Sequence, residues 1–323
     1  MSNISFSEEH EALRATIRAF LAAKSDETAV REQMATERGY DPSVWAQLAA
    51  ELGLVGLIIP EEHGGAGFGY VELLIAMEEM GSALLCAPYL SSAVLAANTL
   101  MHCAEESEQK DLLPGIASGE LTASVAYVEP GRGFDPSSIA ITAGTDRLSG
   151  EKAFVLDGHT ADVLLVVART DEGLGVFRVD ADASGLSRQL VPTLDITRKL
   201  AHLSFSDTPA RRISRGDQRR PFERVLARTV AALTAEQVGG ANRCLEMATE
   251  YAKTRLQFGR PIGSYQAIKH KCADMLVAVE LAKSAAYAAC FAAAQDEDCL
   301  ETAALAKAYC SETYFRAAAD TIQ

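Results

Sequence analysis

The residues most suited to chemistry lie in "TRLQFGRPIGSYQAIKHKCADM", Thr254 to Met275. A helical run ends near Arg255. Phe258-Gly259 terminates it, Arg260-Pro261-Ile262-Gly263 reads as a connection, and Gln266 opens a second helix. An arginine can fork onto phosphate, an exposed phenylalanine can meet a flat ring, and a glutamine can hydrogen-bond amide-like edges. Arg255, Phe258 and Gln266 therefore make a sensible kit for a nucleotide. The alternative on the same residues is a plain helix C-cap, with Arg255 set favourably against the helix dipole. Physics alone leaves both readings standing.

Other chemistries find less support. "GGAGFG" and "GFGYVEL" resemble pieces of dinucleotide loops, but a Rossmann loop needs a strand before it. Here a helix precedes "GLVGLIIP", so the stretch reads as a turn between helices. The chain has no GxSxG elbow, HExxH or P-loop. Its six histidines (10, 63, 102, 159, 202, 270) are isolated along the sequence, which does not suit a metal hydrolase. Seven cysteines without a CxxC pair argue against a disulfide framework or a zinc cluster, and so for a reduced compartment. No metal site is expected. The net charge of −14 leaves no nucleic-acid face without a local basic stripe. Arg211, Arg212, Arg215, Arg219 and Arg220 are the nearest candidates, and they read as a solvated linker. The acidic, amphipathic N-terminal stretch is unlike a signal peptide. No uninterrupted apolar run reaches the roughly 18 residues of a membrane span. A cytoplasmic location is the expectation.

The elements that must position these residues fall into three regions. Residues 1–122 are patterned as helices, broken by the loop "PEEHGGAGFG" at 60–69. Residues 123–214 change texture. "TASVAYVEP", "SIAITAG", "AFVLDG", "DVLLVVART", "GLGVFRVD" and "HLSFSD" have strand composition and Gly/Asp turns, which predicts a small antiparallel β-domain. Residues 215–323 return to long helices, predicted over 222–256, 266–294 and 298–322, as in a four-helix-type bundle. The expected class is mainly α with a central β-domain.

At these positions the chain resembles the acyl-CoA dehydrogenases. Arg255, Phe258, Gly259, Ile262 and Gln266 match that family's Arg-x-x-Phe-Gly-x-x-Ile-x-x-x-Gln signature in register. "GLVGLIIPEEHGGAGFG", "MEEMG", "LLPGIASGE", "VEPGRGFD" and "ADVLLVVAR" extend the resemblance over the whole chain. The resemblance implies FAD as cofactor, an acyl-CoA substrate, and an oligomer of identical or homologous subunits. It implies α,β-dehydrogenation, in which a carboxylate removes the α-proton and the β-hydrogen leaves as hydride to the flavin. Hydrogen bonds to the thioester carbonyl would help the α-carbon ionise, and the flavin would carry the redox work. An electron-accepting flavoprotein is the implied next carrier. The Arg255 segment is implied to reach across a subunit interface to a neighbour's FAD.

The departures bear on function. Val128 stands where the family has a threonine before Glu-Pro, and Phe134 where it has a small polar residue beside flavin and thioester. In "GEKAFVL" (150–156), Phe154 is the candidate flavin-facing aromatic and Leu156 lacks the usual hydroxyl. One family position for the catalytic carboxylate falls on Thr229. The other lies beyond a glutamine that opens a Gln-x-x-Gly-Gly-x-Gly loop. Gln323 resembles that glutamine and is a candidate cofactor contact, so either the sequence is cut short or the protein is a shortened member. Glu236, two turns past Thr229 and about 10 Å along the axis, is a candidate base, although a capping or inter-helix contact is its plainer reading. Glu223 reads as an N-terminal helix residue favoured by the dipole.

Two arrangements follow: a homo-oligomeric enzyme, or one half of a hetero-oligomer of the kind found among actinobacterial steroid-degrading relatives. The altered loops at 128–135 and 152–156 favour the second. The rivals are a non-catalytic scaffold without flavin, and another flavin reaction on the same fold, such as monooxygenation or nitroalkane oxidation.

Overall fold

The structure is a computed structural model and describes residues 6–296 and 298–323. The chain divides into two compact units, one of Met1–Ala23, Tyr70–Leu85 and Val230–Gln323, the other of Lys24–Gly69 and Cys86–Thr229.

The first unit is helical. It holds α1 (Glu8–Lys24), α4 (Tyr70–Ser82), most of α7 (Arg219–Thr254), α8 (Gln266–Ala294) and α9 (Leu300–Ile322). α4 and α7 approach through glycines. A Cβ on Gly81 would lie 2.0 Å from the Glu236 carbonyl oxygen, and one on Gly239 would lie 1.9 Å from that of Glu78. Side chains larger than hydrogen are therefore excluded from the crossing. A charged cluster fills the adjoining space. Arg14 donates to Glu78 at 2.7 Å and Glu79 at 3.0 Å, and Arg18 forks onto Glu79 at 2.9 and 2.8 Å. Tyr287 Oη donates to Glu78 at 3.0 Å. The anions thus keep counter-charges and hydrogen bonds, which burial demands.

α8 is a long apolar helix. It contains an 18-residue window long and apolar enough to cross a membrane by length and composition alone. An averaged window tolerates an occasional charge, so this is compatible with the lack of an uninterrupted apolar run of that length. Met275, Val279, Ala282, Ala286 and Cys290 are buried along one side of α8, as in a bundle helix.

The second unit joins short helices to two sheets. α2 (Glu27–Ala35) and α3 (Pro42–Ala50) begin at Asp26 and Asp41, whose carboxylates accept from the Ala29 and Ser43 amides. A π-helical segment, Tyr89–Ala96, runs into α5 (Ala97–Cys103), and α6 (Glu106–Ala117) follows. The strands are β1 (Ala123–Ala126), β2 (Arg147–Leu156), β3 (Val163–Thr170), β4 (Gly173–Asp180), β5 (Leu186–Val191), β6 (Leu200–Pro209) and β7 (Arg211–Arg212). One sheet has the order β1-β3-β4-β7 and the other β2-β6-β5. Their ladders are antiparallel except that of β1 with β3, which is parallel. Leu164, Val166, Phe177, Leu203 and Phe222 contribute to the continuous core of this unit.

Two strand expectations change. β5, "LSRQLV", carries too many polar residues to read as a strand, yet it pairs along its length with β6. "SIAITAG" forms only single bridges, at Thr142 and Ala143. The arginines at 211, 212 and 215 are tied into ion pairs, although Arg211 and Arg215 remain exposed as expected. Arg211 forks onto Glu108, Arg212 donates to Glu172 at 2.8 Å, and Arg215 pairs with Glu105 at 2.7 Å. These carboxylates lie far away in sequence, so only folding could reveal the pairs.

Candidate functional site

The Arg255 segment differs from its expected form. α7 ends at Thr254, and β8 (Leu256–Gln257) pairs antiparallel with β9 (Arg260–Pro261) as a minimal hairpin. Phe258 and Gly259 form its two-residue turn, with φ of 52° and 80°. Positive φ at both central positions is what a type I′ hairpin turn requires. Glycine meets this without strain. Phenylalanine does not, and the left-handed backbone costs about 1–2 kcal/mol. Strain kept at an exposed tip is a mark of functional use. The Phe258 ring is 92% exposed, so core packing does not explain it.

Arg255 and Gln266 flank this tip. The Ile262 amide donates to the Arg255 carbonyl at 2.8 Å, closing the hairpin base. Both side chains are exposed. Neither makes a hydrogen bond or ion pair among the described residues. The hairpin thus presents an uncommitted guanidinium, a bare ring and an uncommitted amide. That donor set fits the phosphates, the flat ring and the amide edges of a flavin dinucleotide.

The second unit gathers Val128, Phe134 and Phe154. β2 bulges between Lys152 and Val155, and Phe154 within the bulge takes φ 54°. The bulge turns its ring outward, 51% exposed, to lie 6.4 Å from the Phe134 ring at 32°. Phe134 is itself 65% exposed. The two rings form an apolar wall suited to stacking on a planar ring. Val128 is buried and its carbonyl accepts from the Ala153 amide at 2.9 Å. Neither Val128 nor Leu156 brings a side-chain donor, so this wall offers a flavin stacking and backbone hydrogen bonds.

Two residues before Phe154 in the chain, Lys152 forms a pair missed in the sequence. Lys152, with no exposed surface, donates to Glu129 Oε1 at 3.0 Å and to the Tyr127 carbonyl at 3.1 Å. Glu129 also accepts from the Ala140 and Ile141 amides and lies 3.3 Å from Arg132. Burial pushes the Lys152 ammonium down to about 8, against the pull of Glu129. Burial alone would raise the Glu129 carboxyl, but the Ile141 amide, Lys152 and the Ala140 amide together hold it below its ordinary value. Their signal was a lysine two residues after a strand glycine and a glutamate before a proline, which sequence cannot pair.

Each of the remaining candidates lies within one unit. Thr229 is buried and its hydroxyl donates to the Val225 carbonyl within the helix at 2.9 Å. It has no carboxylate with which to take a carbon-bound proton. Glu236 is half-buried on α7, beside the glycine crossing, and Glu223 is half-buried near the start of that helix. Gln323 is exposed at the end of α9, its amide donating to Ala319. Among the described residues no group of three or more His, Cys, Asp or Glu could hold a metal ion.

Comparison with known proteins identifies the class to which this fold belongs. Residues 7–120 match the family "Acyl-CoA dehydrogenase, N-terminal domain" and residues 222–323 match "Acyl-CoA dehydrogenase, C-terminal domain". The chain belongs to the acyl-CoA dehydrogenase family, FAD-dependent oxidoreductases acting on acyl-CoA thioesters. Among its relatives is acyl-CoA dehydrogenase IpdE2 of Mycobacterium tuberculosis, 35% identical over 318 residues, or 98% of this chain and 85% of the relative. The solved structure of a Tcur3481–Tcur3483 steroid ACAD variant matches with TM-score 0.88 and 32% identity, covering 97% of this chain and 86% of that one. The ChsE4–ChsE5 complex from Mycobacterium tuberculosis matches with TM-score 0.87 and 28% identity, covering 99% and 87%.

Proposed function

We propose that this chain works as one subunit of a hetero-oligomeric dehydrogenase and lends its 254–266 hairpin to the flavin of a homologous partner. FAD supplies the acceptor for the hydride that leaves the β-carbon of the acyl thioester as the α-proton goes to a base. The observation that carries the reading is Phe258. Its ring is bare, its backbone is strained, and Arg255 and Gln266 stand uncommitted beside it. A feature that costs stability and packs on little of its own unit suits a surface completed by another chain.

The local chemistry of this chain supports the same division of labour. Phe134 and Phe154 provide a stacking wall, Val128 and Leu156 provide no side-chain donors, and Thr229 supplies no base. We assign no base to the Thr229 position. Similarity to a steroid ACAD supports a bulky, steroid-derived acyl-CoA as substrate, and similarity to the ChsE4–ChsE5 complex supports a two-component assembly. The same reading takes a cytoplasmic location, an electron-accepting flavoprotein as the next carrier, and domain limits at 1–122, 123–214 and 215–323.

The test is flavin stoichiometry. The chain is purified alone and co-purified with its homologous partner, and FAD is measured per chain. Flavin that is retained only in the mixed oligomer is the expected result. One FAD per chain when purified alone would overturn the hetero-oligomer assignment.

A further inference from the structure

A hairpin with two residues in each strand is too short to hold its own shape, because isolated two-stranded hairpins are marginal even when longer. This one must also hold Phe258 in an unfavourable backbone conformation. Something outside the strands therefore fixes it.

Tyr265 is placed to do so. Its hydroxyl donates to the Gln257 carbonyl at 3.0 Å, reaching back across the turn to the first strand. The Arg260 guanidinium lies over its ring, 4.1 Å from the centroid, which ties in the second strand. The Phe258 ring stands edge-on to it, with centroids 6.4 Å apart at 84°. Tyr265 is itself anchored. Its amide donates to the Ile262 carbonyl at 3.0 Å, and its carbonyl accepts from Lys269 in the first turn of α8. One half-buried side chain thus touches the first strand, the tip and the second strand, and precedes Gln266 directly in the chain.

We propose that Tyr265 is a positioning residue that fixes the hairpin so that Arg255, Phe258 and Gln266 meet the partner's flavin as a set. The inference rests on the donated-hairpin reading above. The ring acts through Phe258 and Arg260, and the hydroxyl acts through Gln257, so the two contributions separate by substitution.

The test uses the flavin-loaded oligomer as it assembles, with wild type, Tyr265→Ala, Tyr265→Phe and Phe258→Ala compared. Three quantities are read: the FAD dissociation constant, the rate of chymotryptic cleavage after Phe258 in the flavin-free protein, and the thermal unfolding midpoint. Tyr265→Ala is expected to weaken FAD binding about tenfold and to speed cleavage after Phe258, with an unchanged midpoint. Tyr265→Phe keeps the ring contacts and is expected to fall between it and wild type. If Phe258→Ala weakens FAD binding and Tyr265→Ala does not, the positioning role is wrong while the donated hairpin stands. If neither variant changes FAD binding, the donated-hairpin reading itself is overturned. A lowered midpoint in Tyr265→Ala without a change in cleavage after Phe258 assigns Tyr265 to structure alone and overturns the proposal.

Discussion

Lys152 Nζ lies 3.0 Å from Glu129 Oε1, and both side chains are withdrawn from solvent. The pair joins β2 to the loop that leads to Phe134. Breaking a buried pair from one side leaves an uncompensated charge, which typically costs about 3–5 kcal/mol. Glu129→Gln and Lys152→Met are each expected to lose stability in that range, measured as the urea midpoint at unchanged slope. Glu129→Gln is the harsher change, because Glu129 keeps Arg132 and two amides when Lys152 is removed, whereas Lys152 keeps only the Tyr127 carbonyl.

The same pair sets a pH dependence. The folded state holds the Glu129 carboxyl below its ordinary 4.5. Its contribution is therefore complete above pH 4.5 and is lost as pH falls through the lower folded value. Lys152 is pushed down to about 8 from 10.5, so between those values the unfolded chain binds more protons and stability rises with pH. Urea midpoints measured across pH should show a smaller acid loss in Glu129→Gln than in wild type. The alkaline rise should vanish in Lys152→Met. A wild-type rise that persists in Lys152→Met would assign it to another group.

The hairpin turn separates stability from function. Phe258→Gly relieves about 1–2 kcal/mol of left-handed strain and adds about 0.4–1 kcal/mol of unfolded-state entropy cost. Stability should rise by about 0–1.6 kcal/mol, while FAD retention in the assembled oligomer falls. Calorimetry and flavin absorbance report the two effects independently.

The α4–α7 crossing has no room for a methyl group. Gly81→Ala and Gly239→Ala would each press a carbon to about 2 Å from a backbone carbonyl oxygen. A carbonyl cannot rotate aside as a side chain can. Each variant is expected to lose at least the roughly 1–3 kcal/mol usual for overpacking, seen in the thermal midpoint. An unchanged midpoint would mean that the helices separate freely.

Thiol reactivity follows burial. Cys86, Cys103, Cys290, Cys299 and Cys310 are buried. Burial pushes the Cys86 and Cys310 thiols up to about 11 and that of Cys103 to about 12. Cys244 and Cys272 are half-exposed, and burial also raises the Cys244 thiol. Ellman's reagent at pH 8 should therefore modify Cys272 first. The buried five should react only after denaturation.

The order helix, β, helix was legible because periodicity and turn residues are local properties. The Arg255, Phe258 and Gln266 kit was legible for the same reason: its members lie close together in the chain, and their side-chain types state their chemistry. The sequence by itself thus determined the class of the fold, the family and the position of the Arg255–Gln266 segment between two helices. Tertiary structure decided the rest. β5 is a strand because β6 offers it a ladder, although Ser187, Arg188 and Gln189 mask its pattern. Arg211, Arg212 and Arg215 became ion pairs because folding brings Glu108, Glu172 and Glu105 to them. Lys152 met Glu129, and Tyr265 became the hub of a strained hairpin, through contacts that no residue spacing encodes. Local pattern reports what each segment prefers, whereas long-range contacts depend on where the chain carries those segments in space.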